Sequence, residues 1–209
     1  MDRIIFCDFD GTITVEETFV AILKKFSPKV SGELIPQMYA RKLTLREGVR
    51  QILESIPSSC YAEILDFSRN QKIRPGFEAF LDFLEAESVP LVVVSGGIQG
   101  MVETVMGELV NRVQGIHAID VNTTSEYLQV FSEFEGGTEL VAKVQVMDRY
   151  PCDEKIAIGD SLTDLNMALQ TPMVFARDRL ATYLDEQEKS YIPWNDFFEI
   201  RDYLKKLWN

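Results

Sequence analysis

Two aspartates two residues apart, Asp8 and Asp10, follow the apolar run Ile4-Ile5-Phe6-Cys7 and precede Gly11 and Thr12. Carboxylates this close repel each other unless a cation or a proton sits with them. The spacing asks for a metal, a shared proton, or both. Three more features downstream carry chemistry: Ser95-Gly96-Gly97, Lys143, and Asp160 with Asp164. Singly, each has a plain alternative. Asp-Gly after an apolar run is also a hairpin turn, Ser-Gly-Gly is a good loop and helix-cap sequence, and a lone lysine is usually a solvated charge. Together, and in this order, they fit phosphoryl transfer, which is mostly positioning plus charge neutralisation. Asp8 can attack phosphorus in line and form an aspartyl-phosphate. Asp10 can protonate the leaving alkoxide and then deprotonate the attacking water. Asp8 and Asp160 suit Mg²⁺, which takes oxygen ligands, few of them from protein. Ser95 and the N–H groups of Gly96 and Gly97 can hold phosphate oxygens at a helix N-terminus, with Lys143 neutralising the remaining charge.

The elements that must position these residues follow from periodicity. Ile4 to Cys7 reads as a strand buried on both faces, and i, i+2 side chains of an extended strand share a face. Phe19, Ile22, Leu23 and Phe26 mark a helix that Pro28 ends, and a second is expected over Glu33 to Ala40. Thr44 with Glu47 three residues on has a capping-box pattern ahead of the stripe Leu45, Val49, Ile52, Leu53 and Ile56. Ser58 or Ser59 then caps a fourth helix reaching Ser68. Roughly sixty residues of helix thus separate the first strand from the next, far beyond an ordinary βα connection, so a helical insertion is expected. From Lys72 the α/β rhythm resumes. Strands are expected at Val89–Val94, around Val113–Ile119, at Lys155–Ile158 and at Met173–Ala176. Asp120 to Phe134 reads as a hairpin or an extra strand pair. Gly136-Gly137-Thr138 is expected to open the helix carrying Lys143, and an aromatic helix spans Trp194 to Trp208. The fold class is α/β: a Rossmann-like, mostly parallel sheet with helices on both faces. Its core domain takes residues 1–14 and 72–209, and the insertion takes 15–71.

The 209 residues are 46% hydrophobic and 26% charged, ample for a core. A net charge of −12 argues against nucleic acid and anionic membranes as partners. A small anionic substrate stays open, because a metal and one lysine reverse the local potential. The three cysteines, Cys7, Cys60 and Cys152, have no paired spacing, no apolar run reaches membrane-spanning length, and no signal peptide is evident, so a reduced, cytoplasmic protein is expected.

Asp8-Phe9-Asp10-Gly11-Thr12, Ser95-Gly96-Gly97, Lys143 and Gly159-Asp160-Ser161-Leu162-Thr163-Asp164 resemble, in order, the four motifs of the haloacid dehalogenase superfamily. The resemblance implies Asp8 as nucleophile and Asp10 as general acid/base, with the Asp10 main-chain carbonyl also reaching Mg²⁺. It implies Ser95 and Lys143 on the phosphoryl group, Asp160 as metal ligand, and Asp164 as ligand or orienter. Members that dehalogenate or pump ions lack an aspartate at position 10, so a phosphatase acting on a small phosphorylated metabolite is implied. The insertion just after the first motif is similar to the α-helical cap of the phosphoserine phosphatase branch. Glu17 falls where that branch carries a substrate-contacting glutamate; an ordinary first-turn helix acid is the alternative. Outside the motifs, Leu45-Arg46-Glu47-Gly48-Val49, Ile56-Pro57-Ser58-Ser59, Ile73-Arg74-Pro75-Gly76-Phe77, Phe175-Ala176-Arg177-Asp178 and Phe197-Phe198-Glu199-Ile200-Arg201 resemble a methionine-salvage subfamily. Phosphoserine would instead need a cation for its carboxylate, with Arg41, Arg46 and Arg50 as candidates. His117 reads as structural or peripheral, and Asp185 to Glu188 as a solvated helix face.

Overall fold

The computed structural model describes residues 2–208. Arg3–Cys7 forms strand β1, in which Ile5, Phe6 and Cys7 have no exposed surface. The other strands are β2 (Leu91–Ile98), β3 (Gly115–Asn122), β4 (Gln129–Phe131), β5 (Glu154–Gly159), β6 (Met173–Ala176) and β7 (Ile192–Pro193). They form one sheet ordered β4-β3-β2-β1-β5-β6-β7. All neighbours run parallel except β3 and β4, where Asp120 faces Phe131. The central strand sets Phe6 beside Val92 on one side and Ala157 on the other. Chain order reverses at β1, and in such sheets the crevice beyond the carboxyl end of the strands is where ligands bind.

Five α-helices lie between β1 and β2, and the first four are α1 (Thr18–Phe26), α2 (Pro28–Tyr39), α3 (Leu45–Leu53) and α4 (Tyr61–Ser68). The others are α5 (Phe77–Ala86), α6 (Gln99–Met106), α7 (Lys143–Asp148), α8 (Leu165–Gln170), α9 (Asp178–Glu186) and α10 (Phe197–Trp208). The entry and exit of the four-helix segment meet in a short antiparallel bridge, Thr14 to Ile73, with the Val15 N–H donating to the Lys72 carbonyl at 2.9 Å. No described helix is long and apolar enough to cross a membrane. All three cysteines are free thiols.

Several expected boundaries differ. The second helix begins at Pro28 rather than Glu33, because proline at the first helical position has no N–H to lose. Ser95-Gly96-Gly97 lies within β2, not in a loop, and α6 starts only at Gln99. Lys143 opens its helix: Gly136 to Ala142 is irregular, with Gly137 at φ 48° and Gly136 bridging Glu139. The last helix starts at Phe197, just after β7. Thr44 does cap α3, accepting the Glu47 N–H at 3.1 Å.

Candidate active site

β1 stops at Cys7, so Asp8 emerges at the carboxyl end of the central strand, its N–H still donating to the Ile158 carbonyl at 2.9 Å. It is 3% exposed. Asp8 Oδ1 accepts from Lys143 Nζ at 2.5 Å; Oδ2 is buried with no hydrogen-bond partner among the described residues. Lys143, itself 1% exposed, also donates to Asp164 Oδ1 at 2.6 Å. The other Asp164 oxygen accepts the main-chain N–H groups of Asp160 and Ser161, both at 3.0 Å, which fastens the turn after β5. Asp160 Oδ1 takes the Thr12 hydroxyl at 3.2 Å. Two glycines allow this crowding: a Cβ at Gly11, where φ is +85°, would strike Asp160 Oδ2, and one at Gly159 would lie 2.6 Å from Asp164 Cγ.

Asp10 reaches the same pocket by a different route than strand alternation. The segment after Asp8 is a tight, kinked turn, and the Asp10 carboxylate is held by the first amides of α1, Thr18 N–H at 2.6 Å and Phe19 N–H at 2.9 Å. Ser95 is fully buried and its Oγ accepts the Gly97 N–H at 3.0 Å, leaving the hydroxyl hydrogen to donate. Gly96 and Gly97 line the pocket with Asp8, Asp10, Glu17 and Lys143. Glu17, the residue before α1, is exposed at its rim. The glycine amides therefore come from the irregular end of β2, where the pairing with β3 shifts register, and not from a helix terminus.

Burial dominates the protonation of this cluster. It raises Asp8 to about 6, with Asp164 adding to the shift and Lys143 opposing it. It raises Asp10 to about 8 against the pull of the Phe19 and Thr18 amides. Asp160 is pushed to about 9 by burial, then by Asp8 and Asp164. Burial works against the Lys143 ammonium, but Asp164 and Asp8 outweigh it and hold the group above its ordinary value. Asp8, Asp160 and Asp164 each offer an oxygen within 4.8 Å of the others. Three buried carboxylates against one lysine, with one oxygen orphaned, make a donor set that fits a hard cation.

Several residues of the pocket were not expected from sequence. Its far wall is apolar: Phe19, Val20 and Leu23 from α1, Ile35 and Met38 from α2, Leu45 and Val49 from α3. Arg179, at the start of α9, is the other cation lining it, with its guanidinium 4.9 Å from the Tyr39 ring centroid. The signal for Arg179 was its place just past β6, on the same sheet edge as Asp160. The three arginines considered for a carboxylate are engaged elsewhere: Arg50 on Glu135 and the Val130 carbonyl, Arg46 beside Glu135 at 3.9 Å, Arg41 over the Tyr183 ring. None lines the pocket. His117 lies away from it, with Nε2 2.8 Å from the Tyr150 hydroxyl.

Residues 5–169 match the family model described as haloacid dehalogenase-like hydrolase. The chain belongs to the haloacid dehalogenase-like hydrolases. It is 55% identical over 206 residues, 98% of both chains, to the 2-hydroxy-3-keto-5-methylthiopentenyl-1-phosphate phosphatase of Microcystis aeruginosa. It is 33% identical over 215 residues to the protein of that name from Bacillus cereus strain ATCC 10987, covering 97% of this chain and 96% of the relative. Among solved structures, the phosphoserine phosphatase from T. onnurineus in complex with NDSB-201 superposes with a TM-score of 0.75 at 16% identity, covering 98% of this hydrolase and 95% of that chain. A substrate-bound phosphoserine phosphatase complex gives 0.71 at 18% identity, covering 97% and 98%. At that identity the likeness is one of fold.

Proposed function

We propose that this hydrolase cleaves a small phosphate monoester through an aspartyl-phosphate on Asp8, and that its substrate is 2-hydroxy-3-keto-5-methylthiopentenyl-1-phosphate. The enzyme is a phosphoric monoester hydrolase. The observation that carries the reading is the asymmetry of the aspartate pair: Asp8 is oriented by Lys143 with one oxygen free, whereas Asp10 is pinned by two amides at the same pocket. In the first step an Asp8 oxygen attacks phosphorus, the bond to the leaving oxygen breaks, and Asp10 gives that oxygen its proton. With its affinity for the proton raised to about 8, the Asp10 carboxyl carries one at neutral pH. In the second, Asp10 takes a proton from water, which attacks the phosphorus and frees Asp8 and inorganic phosphate. Lys143, the Ser95 hydroxyl and the Gly96 amide hold the phosphoryl oxygens through both steps, and the Gly97 amide joins them on leaving Ser95 Oγ.

The cation is read as Mg²⁺, held by Asp8, Asp160 and the Asp10 main-chain carbonyl. Asp164 has one oxygen on Lys143 and the other on two amides, so it orients the cluster. When bound, Mg²⁺ supplies positive charge against the phosphoryl oxygens. Residues 15–71 are read as a cap subdomain over a core of 1–14 and 72–209, and the free thiols and acidic surface suit a cytoplasmic enzyme.

The apolar wall built by α1, α2 and α3 favours a methylthio tail, whereas phosphoserine would have to place its carboxylate and ammonium on Arg179 and Glu17, charged groups of the same pocket outside the phosphoryl end. Phosphate release should therefore be measured with Mg²⁺ on both compounds and on other small monoesters. A higher kcat/KM for the methylthio compound is expected; preference for phosphoserine would overturn the substrate, and no Mg²⁺-dependent release at all would overturn the activity. Val49→Asn is expected to raise KM for the methylthio substrate about 10-fold, the worth of one buried aliphatic side chain, while leaving 4-nitrophenyl phosphate nearly unchanged. Equal effects on both would remove Val49 from the tail-binding wall.

The protonation pattern sets a linkage. In the metal-free fold Asp8, Asp10 and Asp160 all titrate above their ordinary value. The native state then binds more protons than the unfolded chain, so stability falls as pH rises from the ordinary carboxylate range through about 9. Melting in chelator is expected to drop between pH 6 and pH 9, and Mg²⁺ is expected to raise it more at pH 9, where it does not compete with protons. A metal-free melting temperature that is flat or rising across that range would contradict the assignment.

A further inference from the structure

Arg74 lies between the four-helix segment and α5, is 6% exposed, and forms no ion pair among the described residues. Its guanidinium is spent on main-chain carbonyls. Nε donates to Thr12 at 2.8 Å; Nη2 donates to Gly11 at 2.5 Å, Thr14 at 3.1 Å and Val15 at 3.4 Å; Nη1 reaches Asn195 at 3.4 Å. The Trp194 ring lies 5.3 Å from its central carbon. The Arg74 main-chain N–H adds a bond to the Ile13 carbonyl at 2.7 Å.

Burying a guanidinium without a carboxylate is costly. An apolar residue of similar volume would avoid that cost but leave the carbonyls of Gly11, Thr12 and Thr14 without this donor. What arginine offers instead is a planar fork that fixes several acceptors at once. Apart from Asn195, those acceptors belong to one stretch, Gly11 to Val15. Asp8 and Asp10 lie immediately before it. Past Glu16 and Glu17 come Thr18 and Phe19, whose amides grip the Asp10 carboxylate. Arg74 thus holds, from behind, the strip of backbone that connects Asp10 to its own clamp.

We propose that Arg74 is a positioning residue that sets where the Asp10 carboxyl meets the leaving-group oxygen, a role that rests on the proton-carrier reading of Asp10. A misplaced acid matters most when the leaving group is basic and needs its proton. A residue that only stabilises the fold would slow all substrates alike.

The test compares kcat/KM for phenyl phosphate, a basic leaving group, with that for 4-nitrophenyl phosphate, a weakly basic one. Wild type, Arg74→Met, Arg74→Lys and Asp10→Asn are measured with Mg²⁺. Asp10→Asn is expected to lose about 100-fold more on phenyl phosphate than on the nitro compound. Arg74→Met and Arg74→Lys are expected to show the same bias at about 10-fold or more, because lysine cannot bind the carbonyls as a fork. Arg74→Lys keeps charge and length, so it carries the test if Arg74→Met does not fold. Equal losses on both substrates in Arg74→Lys, or no loss, would overturn the role while leaving Asp10 intact. No bias in Asp10→Asn would bring down the proton-carrier reading and the Arg74 role with it.

Discussion

Replacing Asp8 by asparagine is expected to lower kcat by about four orders of magnitude or more, and to raise the melting temperature of the metal-free protein at pH 8. The two effects have one origin. Asparagine keeps the shape of the side chain and can still accept from Lys143, but its amide does not attack phosphorus. It also removes one of three carboxylates whose oxygens lie within 4.8 Å of one another. The charge on Asp8 is resisted by burial and by Asp164, which is why its proton is held up to about 6. At pH 8 the metal-free fold bears that repulsion, and the variant does not. Excess Mg²⁺ should narrow the difference, since the cation compensates the wild-type cluster and has one ligand fewer in the variant. Rapid-quench phosphate release and melting curves with chelator and with Mg²⁺ check both parts. A variant that keeps more than a hundredth of wild-type turnover would remove Asp8 as nucleophile. One that melts lower than wild type without metal would mean that the Asp8–Lys143 pair outweighs the repulsion.

Asp8 and Asp160 could be placed from the sequence because each follows a strand end, and strands buried on both faces announce themselves as apolar runs. Ile4 to Cys7 and Ile156 to Ile158 point directly to Asp8 and Asp160 at one edge of the sheet. Lys143 was located by order along the chain, but its helix was not. The glycines at 136 and 137, expected to open a helix, instead make a turn whose backbone, φ 48° at Gly137, is outside the helical region. Helical periodicity identified the apolar faces of α1 and α3, yet it could not say which of those residues face the pocket and which pack inward. Phe19, Leu23 and Leu45 satisfy the same pattern as Ile22 and Ile52, which do not line the pocket. Arg74 was harder still. Its partners are carbonyls, and main-chain acceptors leave no trace in residue type.

Lys143→Met is expected to destabilise the metal-free protein by about 3–5 kcal/mol at pH 8, the usual cost of removing one partner from a buried ion pair. Methionine fills similar space, so the loss is electrostatic. Lys143 is 1% exposed and, among the described residues, is the one ammonium against Asp8 at 2.5 Å and Asp164 at 2.6 Å. Its own titration plays no part near neutrality: its folded value lies above its ordinary one, so its contribution is fully present below the unfolded value. The pH dependence comes from the acids it leaves behind. Lys143 draws the Asp8 value down, so without it Asp8 holds its proton to a higher pH. The deficit relative to wild type should therefore be larger at pH 8 than at pH 5.5, where protonation relieves the unpaired charge. The same shift should move the acid limb of the kcat/KM profile upward, because a protonated Asp8 is no nucleophile. Loss of a cation from the phosphoryl oxygens should reduce kcat a further 100- to 1,000-fold, roughly the worth of one preorganised group in such a site. Urea unfolding at the two pH values, in chelator, separates this from a packing defect. An equal deficit at both would mean that Lys143 supports the fold by volume, and that the charge of the cluster is balanced by other groups.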